Sequence, residues 1–397
     1  MRSVGIICEC NPFHGGHEYL IRRARQSGAD AVICVMSGYF VQRGEAAILD
    51  AHSRARALLF GGADAVLELP FPFSAAGAEF FAAAGVKMLS GLGVDELWFG
   101  SECGDIGLLT RAATVCDSED FRTRYAESVE SKSGTAEAYF DLLSELLGAD
   151  MTCLSNDILG IAYLRAIKEI GASMRPVTVK REGAAYLDTV LTDGAYPSAT
   201  ALRAKWREEG RDAVLPYLPV AVRRELDTVD AIADLKNAER AVLAHFRLTP
   251  PERLESIAVL SGGLGSRMAK AAADATSLEQ LLELAATKKY PTSRLQRGIL
   301  FALTEIIPED LKVDPAYARL LAANATGCEF LATSRKKDGG LPIVTRRTDL
   351  PKTDAASRQL ELETRAFALY TLCTEQTMTV SDQWKARAYI TKTSHKP

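Results

Sequence analysis

The chain has 397 residues, 47% hydrophobic and 25% charged, with a formal net charge of −4. That length suits two or three domains and a core needing no covalent staples. The charge excludes a global basic field, so any nucleic-acid partner must be held by local patches, and no run approaches the ~20 apolar residues of a membrane span.

Met1–Ile7 runs straight into a strand-like segment, without the charged region, apolar run and cleavage site of a signal peptide. The eight cysteines are scattered and none forms a Cys-x-x-Cys pair. They read as reduced core thiols, and the expected compartment is the cytoplasm. Cys8 and Cys10 share one strand face, but no second pair with suitable spacing accompanies them, which argues against a metal site.

In chain order, Val4–Cys8 is a short apolar run ending at Asn11-Pro12, the pattern of a buried parallel strand. Helical spacing follows over His17–Gln26, then a strand over Ala31–Met36 and a helix over Ala51–Phe60. A third strand spans Ala65–Leu69, a small-residue helix Ala75–Leu89, and a fourth strand Glu96–Phe99, ending at Gly100. This alternation predicts βαβ units in a parallel sheet with right-handed crossovers. Ile106–Leu147 reads as helical, a further helix starts near Asn156, and Pro176–Val179 is one more strand. Ser198 reads as the N-cap of a helix through Leu202 and Trp206. Beyond about Gly210 strand signals nearly vanish. Val220–Ala244, Leu254–Val259, Leu278–Ala286 and Arg294–Ile306 read as amphipathic helices, with Thr249-Pro250-Pro251 as a stop. The expected fold is α/β: a Rossmann-like parallel-sheet nucleotidyltransferase domain over residues 1–210, followed by a mostly α-helical domain over 211–397.

The strongest chemical signal is His14-Gly15-Gly16-His17, placed where the first strand turns into a helix. A helix N-terminus offers unpaired N–H groups and a positive dipole end, and so attracts anions. Gly15 and Gly16 admit a ligand close to the backbone. Two imidazoles there can donate to phosphate oxygens and strengthen as charge builds in the transition state. Ordinary loop histidines would share this spacing. The position at the carboxyl end of a strand, where open α/β sheets bind ligands, favours the functional reading. Zinc is disfavoured because no third ligand is apparent. Gly100 faces the same edge. Asn156 suits a ribose or base contact and equally an N-cap. Arg181 and Arg203 suit phosphate, while Ser37, Gln42 and Arg43 lie where they could close over a nucleotide. Replacing either histidine is expected to leave stability almost unchanged, since both sit on a loop edge.

The sequence resembles the bacterial tRNA(Met) cytidine acetate ligases of the HIGH-motif nucleotidyltransferase superfamily. The resemblance spans nearly the whole chain. It runs through Glu9–His17, where the family reads Glu-Tyr-Asn-Pro-Phe-His-Asn-Gly-His, then Val35–Glu45, Leu67–Pro70, Phe99–Glu102, Ser155–Gly160, Lys180–Ala184, Ser198–Arg203 and Arg294–Arg297. It implies an enzyme that uses ATP and acetate to form acetyl-adenylate and then acetylates the wobble cytidine of elongator tRNA(Met) to N4-acetylcytidine, releasing AMP and pyrophosphate. It implies His14 and His17 as catalytic residues. It also implies ATP contacts from Ile7, Asn11, Pro12, Phe13, His14, Gly15, Gly16, His17 and Leu20, and from Gly100, Asn156 and Arg181. The chain departs from the family pattern at Cys10, Gly15 and Asp157, and lacks an acidic residue near the start of Gly262–Arg267.

Magnesium is expected with the ATP, although no protein ligand set for it is visible. For tRNA, the candidate contacts are Lys288, Lys289, Tyr290, Arg294 and Arg297, with Arg335-Lys336-Lys337 and Arg346-Arg347 as further basic clusters. Two other readings stay open: a nucleotidyltransferase acting on a small phosphorylated substrate, and a non-catalytic RNA-binding protein. The long helical half counts against the first and the intact histidine pair against the second. No membrane partner is expected, and the sequence gives no oligomeric state.

Overall fold

The computed structural model describes residues 1–131, 135–149, 155–181, 197–226, 232–336, 339–375 and 378–393. Of the positions singled out above, Cys153, Glu182, Gly183, Ala184 and Lys337 lie outside the described residues.

The first half follows the expected alternation: β1 (Ser3–Cys8), α1 (Gly15–Gln26), β2 (Ala31–Ser37), a hairpin of β3 (Phe40–Val41) and β4 (Glu45–Ala46), α2 (Ala51–Phe60), β5 (Ala65–Leu69), α3 (Ala78–Leu92) and β6 (Glu96–Ser101). Four helices come next: α4 (Ile106–Cys116), α5 (Glu119–Ser131), α6 (Thr135–Leu147) and α7 (Ser155–Glu169). They lead to β7 (Arg175–Lys180) and α8 (Ala199–Glu209). Ser198 caps α8 as its sequence suggests, its hydroxyl accepting from the Ala201 N–H at 3.0 Å.

With β8 (Ala318–Ala323) and β10 (Tyr389–Ile390) from later in the chain, the main sheet runs β10-β8-β5-β2-β1-β6-β7. β1 pairs in parallel with β2 on one side and β6 on the other. The chain therefore moves outward from β1 through β2 to β5, then returns to β6 on the opposite side of β1. That reversal opens a crevice at the carboxyl ends of β1 and β6, where doubly wound sheets hold ligands. β1, β2 and β5 are buried along their whole lengths, which is why they read as unbroken apolar runs.

The reading that strand structure fades beyond Gly210 needs correction. The second half is mainly helical, with Glu239–Leu248, Leu264–Asp274, Leu278–Ala285, Thr292–Thr304 and Asp354–Cys373 among its helices. It also supplies β8 (Ala318–Ala323), β9 (Ile343–Val344) and β10 (Tyr389–Ile390) to the same sheet. β8 reads Ala-Arg-Leu-Leu-Ala-Ala, a helix-favouring composition. Antiparallel pairing along β5 and complete burial override that preference.

Buried polar contacts fix this joint. Asp64, before β5, accepts from Val32 N at 2.7 Å and from Asn324 Nδ2 at 2.8 Å, and it pairs with Arg25. Glu68 lies 3.6 Å from Arg319, whose guanidinium stands 4.2 Å above the Trp384 ring.

Candidate active site

The turn from β1 into α1 is built on the two histidines themselves. His14 is the N-cap of α1, and its Nδ1 accepts the Gly16 N–H at 3.0 Å. His17, three residues on, accepts the His14 N–H on its own Nδ1 at 3.3 Å. This reciprocal arrangement is a capping box in which imidazoles replace the usual hydroxyl and carboxylate. The rings lie 4.0 Å apart, centroid to centroid. A Cβ on residue 16 would come within 2.9 Å of the His14 ring, so glycine there makes room for the cap.

The cap also fixes the tautomers. With both Nδ1 atoms accepting, the proton of each neutral ring sits on Nε2. Burial pushes the His14 pKa well below its usual range, and the charges of His17, Arg181 and Arg203 push the same way. Burial, with Arg181 adding to it, brings His17 down to about 4. Both rings are therefore neutral Nε2–H donors at physiological pH.

Both histidines line a cavity at the crevice, enclosing about 1250 Å³ including its open mouth. Ile7, Asn11, Gly16, Leu20, Gly100, Asn156 and Arg181 line it with them, as the sequence leads one to expect. Pro12, Phe13 and Gly15 do not. They are buried, and Phe13 packs at the end of α2, where a Cβ on Gly61 would fall 2.3 Å from its ring. Of the residues after β2, Gln42 reaches the cavity, while Ser37 and Arg43 do not line it.

Sequence reasoning misses several liners. Glu9 stands inside the motif without a part of its own in the sequence reading, although a carboxylate just past a strand end could have signalled one. Phe81, Phe99, Leu159 and Tyr163 form apolar wall, and nothing separates them in sequence from ordinary core residues. Lys180 adds a cation beside Arg181.

The side of the cavity lined by Gly100 and Asn156 is held by a reciprocal pair. Glu102, after β6, accepts from Asn156 N at 3.2 Å, Asp157 N at 3.0 Å and Asn156 Nδ2 at 2.5 Å. Asp157 in return accepts from Glu102 N at 3.0 Å and Cys103 N at 3.3 Å. Asn156 is thus tied at one N–H of its side-chain amide, leaving the second N–H and the side-chain carbonyl oxygen as groups it can offer a ligand. Asp157, the departure from asparagine, is the partner that fastens the turn.

Arg54 holds the rear of the site. It is fully buried and donates to the carbonyls of Leu49 (3.0 Å), Glu9 (2.7 Å), Ser37 (3.0 Å) and Gly38. One guanidinium thereby joins the ends of β1 and β2. Arg203, from α8, donates to Asn11 O at 2.9 Å and lies 3.3 Å from Glu45.

The expected RNA-facing residues separate into two groups. Lys288 and Lys289 are exposed. Tyr290 is not available to stack a base. It is buried, its hydroxyl donates to Gly262 O at 3.0 Å, and Lys289 and Arg294 flank its ring. Arg297 is mostly enclosed, with burial and then Arg294 lowering its pKa to about 10, and it donates to Gln42 O at 3.4 Å. It ties the helix Thr292–Thr304 to the loop above the cavity. Arg335, Lys336, Arg346 and Arg347 are exposed. Beside Gly262, Glu255 accepts from Gly263 N and Ser266 N, each at 2.9 Å. Among the described residues no cluster of three or more His, Cys, Asp or Glu is placed to hold a metal, and no helix is long and apolar enough to cross a membrane.

Comparison with known proteins adds an independent line. Residues 1–384 match the family model described as HIGH Nucleotidyl Transferase. A tRNA(Met) cytidine acetate ligase of Syntrophotalea carbinolica is 36% identical over 396 residues, covering 94% of each chain. One from Acetivibrio thermocellus is 33% identical over 399 residues, covering 94% of this chain and 95% of its own. The crystal structure of apo Thermotoga maritima TmcAL superposes with a TM-score of 0.91 at 32% identity, covering 99% of this chain and all of that one. The form bound with alpha-thio ATP gives 0.88 at 31% identity, with the same coverage.

Proposed function

The chain belongs to the HIGH nucleotidyl transferases and, within them, to the tRNA(Met) cytidine acetate ligases; from that premise we propose how its own residues divide the work. ATP binds in the crevice with its triphosphate at the start of α1. Its adenosine lies toward Gly100, Asn156 and Arg181. A carboxylate oxygen of acetate attacks the α-phosphorus and pyrophosphate leaves, giving acetyl-adenylate. The cytidine N4 amine then attacks the acetyl carbon and AMP leaves. The wobble cytidine of elongator tRNA(Met) is the acceptor in this reading.

The observation that carries the proposal is the reciprocal imidazole cap. It presents two neutral Nε2–H donors and a helix N-terminus to one cavity. Donors fixed before the reaction stabilise charge developing on phosphate oxygens without reorganising. Magnesium arrives with the triphosphate in this scheme, and no step is assigned to a protein-held metal. For tRNA we assign the exposed Lys288 and Lys289 with Arg294, on residues 211–397, so that adenylate formation belongs to residues 1–210 and RNA affinity to the rest.

The test is incubation with ATP, labelled acetate and tRNA, followed by product chromatography and nucleoside analysis. The expected products are AMP, pyrophosphate and N4-acetylcytidine. ADP with phosphate would overturn the assignment.

A further inference from the structure

Glu9 is the one carboxylate among the described residues that line the cavity, and adenylate formation has no use for it. Glu9 follows β1 directly and lines the cavity. One of its oxygens, Oε1, accepts from Gln42 N at 2.9 Å. The other has no partner among the described residues, and Glu9 makes no ion pair among them. Arg203, the cation facing it from α8, is committed to Asn11 O and Glu45. Glu45 and Arg43 face it from the hairpin and Tyr163 from α7. Burial raises its carboxyl pKa against the pull of Arg203. A half-buried carboxyl in a cavity wall, with its burial only partly offset by the pull of Arg203 and Arg43, is the kind of group that concentrates where chemistry uses it.

Its position narrows that chemistry. The sheet order places β6 and β7 on one side of β1 and β2 on the other. The adenosine contacts proposed above come from β6, β7 and α7, and the phosphate donors from the start of α1. Glu9, bonded to Gln42 of the β3–β4 hairpin that follows β2, therefore marks the end of the cavity left for the acceptor. Acetate attacks as an anion and brings no proton to remove. The cytidine amine does.

Building on the ligase reading, we propose that Glu9 is the general base of the second step, taking the proton from the acceptor amine as it attacks acetyl-adenylate. The N4 lone pair forms a bond to the acetyl carbon. The bond from that carbon to the phosphate oxygen breaks, and its electron pair leaves with AMP. The N4 proton passes to the free oxygen of Glu9 and from there to water. No oxidant or further reactant is required.

Glu9→Gln keeps an acceptor for the Gln42 N–H and removes the base. In the full-length protein, transfer of labelled acetyl to tRNA in a single turnover is measured from pH 5 to 9, beside acetate-dependent ATP–pyrophosphate exchange. We expect transfer to fall by about 10²–10⁴-fold, far more than exchange. The wild-type transfer rate rises with pH through one ionisation, and that limb disappears in Glu9→Gln, while Glu9→Asp restores part of the rate. Transfer and exchange falling together, or an unchanged acid limb in Glu9→Gln, would overturn the assignment. Normal exchange with wild-type transfer in Glu9→Gln would overturn Glu9 alone. A wild-type protein with no acetate-dependent exchange would overturn the ligase reading and this inference with it.

Discussion

Replacing His14 with alanine removes the acceptor of the Gly16 N–H, and replacing His17 removes the acceptor of the His14 N–H. Each change therefore costs the fold as well as the chemistry, which revises the expectation drawn from their place on a loop edge. Loss of such a cap destabilises by about 1 kcal/mol. Loss of a transition-state donor slows adenylate formation by roughly 10²–10³-fold. Denaturant melts read the first effect and acetate-dependent ATP–pyrophosphate exchange the second; wild-type exchange in either variant would remove that residue from the mechanism. His17 also predicts a pH dependence. The unfolded chain takes up a proton on this ring near pH 6.5, whereas the folded chain does so only near pH 4. Between those values the unfolded state binds more protons, so stability is complete above pH 6.5 and falls as pH drops toward 4. From pH 7 to 4.5 the loss assigned to His17 is on the order of 2 kcal/mol. Melts of wild type and His17→Ala should draw together as pH falls and cross before pH 4.5, because the linked loss exceeds that of the cap; parallel curves would contradict the linkage.

At the level of elements, the hairpin β3–β4 connects the two halves of the sequence. Gly44 sits at its tip with φ of +78°, and a Cβ there would fall 2.4 Å from the Arg297 nitrogen. Only glycine meets both demands, the left-handed backbone and the approach of a neighbouring helix. Gly44→Ala should cost about 1–3 kcal/mol and draw the helix Thr292–Thr304 away from the loop. Because Arg297 donates to Gln42 O across that contact, the cavity wall should shift too. A lower melting temperature with reduced exchange activity is expected; an unchanged melting temperature would show that the contact is slack. The same contact explains why Arg297 resembles an RNA-binding residue: a basic side chain on a polar helix end looks alike in sequence whether solvent or a carbonyl receives it.

Over the whole molecule, a net charge of −4 repels a polyanion, so tRNA affinity must come from concentrated local charge. Replacing Lys288, Lys289 and Arg294 together with alanine should weaken tRNA binding and reduce its salt slope by about 0.7–0.9 for each phosphate no longer neutralised. ATP–pyrophosphate exchange without tRNA should change little. Affinity measured at several salt concentrations checks this, and a wild-type slope would place RNA elsewhere. Arg297 is left out of that set because it joins elements. The parallel strands of the first half, the Ser198 cap and the His14–His17 turn were legible in sequence because they depend on local pattern: unbroken apolar runs, a cap residue, glycines at a strand end. Helix bounds were less so: the run Leu254–Val259 is α-helical only through Glu255, and the expected helix Val220–Ala244 is Val220–Leu226 and Glu239–Leu248 among the described residues. The family, too, was legible in ordered motifs. Three things were not. β8 is strand only because β5 offers it a buried edge, against its own Ala- and Leu-rich preference. Tyr290 is core only because Gly262 accepts its hydroxyl and two cations flank its ring. Glu9 gains its place only because the β3–β4 hairpin brings Gln42 to one of its oxygens and the fold sets its side chain in a cavity wall. Local chemistry is written in neighbouring residues, whereas burial and partnership depend on residues far apart in the chain, so the tertiary structure decided them.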